Sequence, residues 1–297
     1  MDVFKNIFLN KESLAESDKP VFTLLYSSLP EYDVNRCVKA IGDYEPLRGR
    51  AEFRGQNSES VPLMGMISFD DHAVGLVALP SPLPQSVVEQ CIHTAPWDAS
   101  FKELLSSHLN TLILSYQGTH PDPIEQYLAL CKTAACLHTP ELLGVVNEPA
   151  WTCFPGDFPV QLMQPQWLSQ ARISPPLALW TGFVRILIHD EEWMVTRGNH
   201  FFGLPDFAMR RYGDESAQDP AFVHDLFHEF FHYFYYEKKQ AEHGDGINID
   251  DRNFYVFLQP EDTARHLKGM GELFVVEAMD PEEWAEAGGL DPNRRVE

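Results

Sequence analysis

The chain has 297 residues, 44% of them hydrophobic and 12% aromatic, and carries 44 Asp and Glu against 22 Lys and Arg, a formal net charge of −22. That apolar content supports a packed core and excludes a disordered chain, while the length exceeds one typical domain and points to two subdomains. The lack of a basic surplus argues against direct phosphate-mediated binding to nucleic acid, and no apolar run reaches the roughly 18 residues that a membrane-spanning helix requires.

Met1–Pro20 mixes Lys5, Lys11, Glu12, Glu16 and Asp18 among its apolar residues. It lacks the continuous apolar stretch of a secretory signal, so residues 1–20 read as an extension and the chain as cytoplasmic. The cysteines Cys37, Cys91, Cys131, Cys136 and Cys153 are odd in number and show no Cys-x-x-Cys spacing, which fits reduced thiols. Val21–Ser27 reads as a strand and Tyr32–Ile41 as a helix. Val61–Phe69 and Ala73–Leu79 read as a strand pair joined at Asp70-Asp71-His72, a polar hairpin turn in preference to a carboxylate–imidazole pair. Helices are expected at Gln85–Ile92 and Ser100–His108, a strand at Thr111–Gln117, a buried helix at Ile124–Leu137 and a strand at Leu142–Asn147. Proline-rich stretches at 80–84 and 155–165 punctuate this half, and Ser174-Pro175-Pro176 marks the boundary between subdomains 21–173 and 177–297.

The second half opens with a strand pair, Trp180–Ile188 and Glu192–Thr196. It continues with Phe254–Leu258, a short helix near Thr263–Lys268, a strand at Leu273–Glu277 and a helical turn at Pro281–Ala287. Strands joined mostly as hairpins, with helices between them, predict an α+β fold with mixed or antiparallel sheets. No glycine-rich phosphate loop follows any strand.

The sharpest motif is His228-Glu229-Phe230-Phe231-His232, inside a helix that starts at Asp219-Pro220 and runs to about Lys239. At 100° per residue, Val223, Leu226, Phe227, Phe230, Phe231 and Phe234 fall on one side, and His224, Asp225, His228, Glu229 and His232 on the other. Two histidines four apart on a helix face can hold zinc with the intervening Glu as general base. A catalytic zinc, however, takes three protein ligands. The extended pattern would need Gly at 235 and His at 238, where the chain has Tyr235 and Lys238, while His243, Asp245 and Glu261 have no recognised spacing. The favoured reading therefore assigns no catalytic residue and no cofactor. A zinc hydrolase is the alternative, built on His224, His228, His232 and His243 with Glu229 as base.

Thr196-Arg197-Gly198-Asn199-His200-Phe201-Phe202-Gly203-Leu204-Pro205-Asp206 links a strand to a helix expected to begin at Leu204-Pro205-Asp206, and a Gly/Asp turn follows the histidine helix at His243–Ile249. Turn geometry and a helix cap account for this segment, and the functional alternative is a ligand or partner pocket where it meets Gly244-Asp245-Gly246. Its polar groups would be Arg197, Asp206 and Asp245, with Asp250 and Asp251 next in the chain.

These two segments, T-R-G-x-x-x-F-G-L-P-D and G-D-G-x-x-I, resemble the bacterial domain-of-unknown-function family 4261. Val77–Pro84, Cys91–Trp97 and the Thr111–Tyr116 strand are similar to the same family, so the resemblance covers roughly residues 20–250. The family has no established activity, and some members are suspected toxin-immunity proteins. The resemblance thus implies a non-enzymatic binding protein. The acidity adds a cationic protein partner, a toxin or effector, drawn in by opposite charge. From Gln240 to Glu297 the chain carries 14 Asp and Glu against 5 Lys and Arg, a local net of −9. A regulatory or scaffold domain binding a peptide is a further alternative.

Overall fold

A computed structural model describes residues 19–56, 62–188, 190–211, 219–240, 242–249, 252–258, 267 and 269–278. Asp250, Asp251, most of the 1–20 extension and the helices expected near 263–268 and 281–287 (Leu267 apart) lie outside the described residues. The fold is α+β, in two compact units that divide after Trp180. The expected boundary at Ser174-Pro175-Pro176 is followed by one more short helix, Leu177–Trp180, before the first unit closes.

The first unit is built on a seven-stranded sheet of order β2-β3-β4-β5-β1-β6-β7, paired antiparallel throughout. Its strands are β1 (Val21–Tyr26), β2 (Glu52–Gln56), β3 (Met64–Phe69), β4 (His72–Leu79), β5 (Asn110–Tyr116), β6 (Leu142–Asn147) and β7 (Thr152–Pro155). Every residue of β1 is buried, which its unbroken apolar run requires. Phe22 meets the Tyr127 ring at 5.7 Å on one face, while Leu25 on the other joins Val87, Cys91, Ile92 and Leu105. Helices thus cover both faces of the central strands. They are α1 (Val34–Tyr44), α2 (Gln85–Val87, running into a π turn at Val88–His93), α3 (Ala99–Ser106), α4 (Pro123–Cys136), α5 (Phe158–Leu162), α6 (Pro165–Ile173) and α7 (Leu177–Trp180). Asp33, Asp98 and Asp122 cap α1, α3 and α4 by accepting from the first-turn N–H of Arg36, Phe101 and Ile124.

The second unit carries a six-stranded sheet of order β11-β12-β13-β10-β9-β8. The strands are β8 (Gly182–Ile188), β9 (Glu191–Arg197), β10 (Asp206–Arg211), β11 (Gly246–Ile249), β12 (Arg252–Leu258) and β13 (Leu273–Ala278). β10 and β13 run parallel, and the other pairs are antiparallel. The α-helix among its described residues, α8 (Pro220–Tyr236), has Asp219 as its cap and Pro220 in its first turn. Its apolar side lies on β10, with Phe207 meeting the rings of Phe227, Phe230 and Phe234 at 5.3–6.0 Å.

Two local expectations are corrected. Leu204-Pro205-Asp206 opens strand β10, not a helix. The helical turn lies earlier, at Asn199–Phe202, and Asp206 N–H donates to Glu272 O at 2.8 Å as β10 joins β13. Pro205 stands just before the ladder, where its missing N–H removes no pairing. Secondly, the Gly/Asp turn at 243–249 is a turn only as far as Asp245, because Gly246–Ile249 pairs with β12.

Candidate functional site

Arg197 ends β9 and Asp206 begins β10, so the intervening loop must bring two ionic side chains together. Gly198 and Gly203 take φ of 93° and 71° at either end of the Asn199–Phe202 turn, a left-handed geometry suited to glycine. Asn199 closes the loop: its Nδ2 donates to Thr196 Oγ1 (3.1 Å) and Pro205 O (3.0 Å), and its backbone N–H to Asp206 Oδ1 (3.2 Å). Thr196 Oγ1 also accepts from Phe207 N–H at 2.7 Å.

Arg197 and Asp206 are each 1% exposed, with Nη1 and Oδ2 3.8 Å apart. Burial pushes the Asp206 carboxyl up to about 7, against the pull of Arg197 and the Asn199 N–H. Burial likewise lowers the Arg197 pKa. Gly269 lies across this pair: a Cβ there would stand 3.0 Å from Asp206 Oδ2 and 3.2 Å from Arg197 Cδ. The pair is a buried brace for the loop.

Beside the loop lies a cavity of about 230 Å³, lined by His200, Leu204, Pro205, Lys239, Gln240 and Glu272 among others. Arg197 and Asp206 do not line it. Gly271 permits the approach of the loop floor, since a Cβ there would meet His200 Cβ at 2.8 Å. Asp245 belongs elsewhere. Its Oδ2 accepts from Glu242 N–H at 2.8 Å and closes the turn before β11. It sits three strands across and three residues along from Asp206. On ordinary sheet spacings that is roughly 17 Å, so the structure does not gather Arg197, Asp206 and Asp245 into one site.

On α8 the rings of His224, His228, His232 and Tyr236 follow one another along the polar side. Successive centroids are 6.4, 4.7 and 5.1 Å apart. His224 Nδ1 lies 3.1 Å from Asp225 Oδ1, and its ring meets Phe183 of β8 edge-on at 5.5 Å. Burial, and then the neighbouring His232 and His224, lower the His228 pKa and favour its neutral form. Glu229 is exposed. His243 is exposed in the turn before β11, its ring meeting Phe257 at 5.6 Å. Among the described residues no group of three or more His, Cys, Asp or Glu side chains is arranged to hold a metal ion.

Two arrangements in the first unit escaped the sequence reading. Lys132, on α4, is buried with its Nζ 2.6 Å from Glu45 Oε2. Arg172 of α6 reaches the same carboxylate at 2.9 Å and Glu125 at 2.5 Å. Arg172, opposed by partial burial and helped by Lys132, holds Glu45 at about 2. A lysine within the apolar stretch Tyr127–Ala135 was the available signal, since a buried lysine needs a partner. Around the β3–β4 hairpin, Arg48 pairs with Asp71, His72 Nδ1 lies 3.1 Å from Tyr116 Oη, and the His72 and His120 rings stack at 5.1 Å. Desolvation and the nearby His120 lower the His72 pKa to about 4.

No family model, no curated protein and no solved structure matches this chain. Among the described residues no helix is long and apolar enough to cross a membrane.

Proposed function

We propose that this chain is a non-enzymatic binding protein whose partner is a cationic protein, of the immunity type in which the bound partner is a toxin or effector held inactive. One observation carries the reading: acid exceeds base by 22 charges over the chain, and much of the described base is already taken up by the chain's own carboxylates, although Arg36, Lys39, Arg50 and Lys238 are exposed as well. Arg48, Arg54, Lys132, Arg172, Arg185, Arg197, Arg210 and Arg211 each lie on a carboxylate of this same chain. Glu31, Asp43, Glu89, Glu103, Asp157, Asp225, Glu229 and Glu237 stand exposed. A net charge of −22 then produces a field that raises the encounter rate with a basic partner and repels acidic ones. The likeness of residues 196–206 and 244–249 to family 4261 supports the same reading.

The test is affinity capture with the full chain as bait, washed at about 0.05 M and about 0.5 M salt, which shortens the Debye length severalfold. A stoichiometric partner of basic isoelectric point, released by the higher salt, is the expected result. If the captured partner's own activity persists in the complex, the immunity component fails. A neutral or acidic partner that resists salt removes the whole proposal.

A further inference from the structure

The polar side of α8 carries two imidazoles in a particular relation to each other. His228 and His232 are half-buried, one helical turn apart, with ring centroids separated by 4.7 Å and planes inclined at 51°. That separation can be compared with the requirement for chelation. A metal–nitrogen bond of about 2.05 Å plus about 1.1 Å from nitrogen to ring centre places each centroid roughly 3.2 Å from a bound ion. Two cis ligands at about 90–109° then put the centroids roughly 4.5–5.2 Å apart. The observed pair falls inside this range. His224 and His228, at 6.4 Å, fall outside it, and His224 already faces Asp225.

We infer that His228 and His232 form a two-imidazole chelate for a borderline divalent transition ion of the copper, nickel or zinc class, its other positions filled by water or by a side chain of a bound partner.

Several features fit this assignment. Imidazole nitrogen is the ligand that such ions prefer over the carboxylate oxygens favoured by calcium and magnesium. The His232 ring also stacks on Tyr236 at 5.1 Å and 26°, which limits its rotation. Helix α8 is anchored through Phe227, Phe230, Phe231 and Phe234, so the spacing is fixed before an ion arrives. Asp225 and Glu229, both exposed on the same side, add negative potential that favours a cation. Two protein ligands do not make a hydrolytic centre, which needs three with one open position, so this is a binding site. It stands independently of the proposed partner.

The experiment titrates the chelator-treated full chain with Ni²⁺ by calorimetry, alongside His232→Ala, His228→Ala and His224→Ala variants. Each protein's fold is checked by far-ultraviolet circular dichroism. One equivalent of Ni²⁺ should bind the parent chain. Either His228→Ala or His232→Ala should weaken it about 100-fold, because the second imidazole otherwise acts at high effective concentration. His224→Ala should leave affinity within about twofold, since that ring is not a ligand. A Cu²⁺ complex should show electron paramagnetic resonance splitting from two nitrogens in the parent and from one in His232→Ala. Loss of affinity in His224→Ala equal to that in His232→Ala would overturn the assignment. Ni²⁺ binding unchanged in all three variants, or absent in the folded parent, would overturn it as well.

Discussion

The Arg197–Asp206 pair offers the most quantitative test of how the second unit is held together. Both side chains are 1% exposed, and the cationic and anionic atoms stand 3.8 Å apart. Removing one partner leaves an uncompensated buried charge, which costs about 3–5 kcal/mol. Against a whole-domain stability of about 5–15 kcal/mol this is a large fraction. Replacing both partners by apolar residues removes the desolvation cost together with the attraction, so the double change costs far less than the sum.

The pH dependence adds a second constraint. The Asp206 carboxyl is raised in the folded state to about 7 from 3.8. Its contribution to stability is complete below the unfolded value and is lost as pH rises through 7, because the folded chain holds the proton more tightly. Arg197→Met removes the cation that pulls this pKa down, so it rises further. The variant's deficit at pH 8 should therefore exceed its deficit at pH 5.5 by up to about 1.4 kcal/mol, the free energy of one pKa unit. Urea unfolding of Arg197→Met, Asp206→Leu and the double variant at both pH values provides the assay. Additive single costs, or a deficit for Arg197→Met that does not change with pH, would refute the reasoning.

Four further outcomes follow from the same geometry. Nuclear magnetic resonance titration of the His72 ring should give a midpoint near 4. Because this pKa is depressed, its stability contribution is present above about 6.5 and lost as pH falls through 4; a midpoint above 6 would contradict the packing against Tyr116 and His120. Gly118→Ala places a Cβ 2.7 Å from Asp71 O and 2.8 Å from Ala73 N, backbone atoms that cannot swing aside, and should cost about 1–3 kcal/mol in thermal unfolding. Gly203→Ala meets no atom within 4 Å but holds φ at 71°, so its cost should be smaller, about 1–2 kcal/mol, from backbone strain alone. Phe230→Ala empties a fully buried ring site under α8 and should cost about 3–5 kcal/mol by denaturant unfolding, with far-ultraviolet helicity retained.

Local chemistry made much of the fold legible. Helix α8 announced itself through Asp219-Pro220 and an apolar side at helical spacing, and the structure starts it at Pro220 and ends it at Tyr236. The β3–β4 pair and β5 were visible from apolar runs bounded by turn residues. What stayed hidden depended on distant partners. Strand β10 begins with residues whose local chemistry suits a helix start, and its parallel neighbour β13 lies more than sixty residues further on. The polar β2 lacks apolar alternation and is a strand because it pairs with β3. Helices α5 and α6 were obscured by Pro159 and Pro165, read as breakers though each stands in a first turn, where proline is tolerated.

At the candidate site, the sequence picked out Arg197 and Asp206, yet their burial could not be read from it. A loop of two glycines fits a surface pocket and a buried brace equally well. Only the Asn199 hydrogen bonds and the approach of Gly269 separate the two. The His228–His232 spacing was plain in sequence, whereas the 4.7 Å separation of the two rings was not.

The central claim, that acidity serves recognition of a cationic protein, is tested most directly by stopped-flow association of this chain with its captured partner across a salt series. An association rate that falls more than about tenfold between 0.05 and 0.5 M salt, with dissociation nearly constant, is the predicted result. An association rate that holds within about twofold across the series would contradict it.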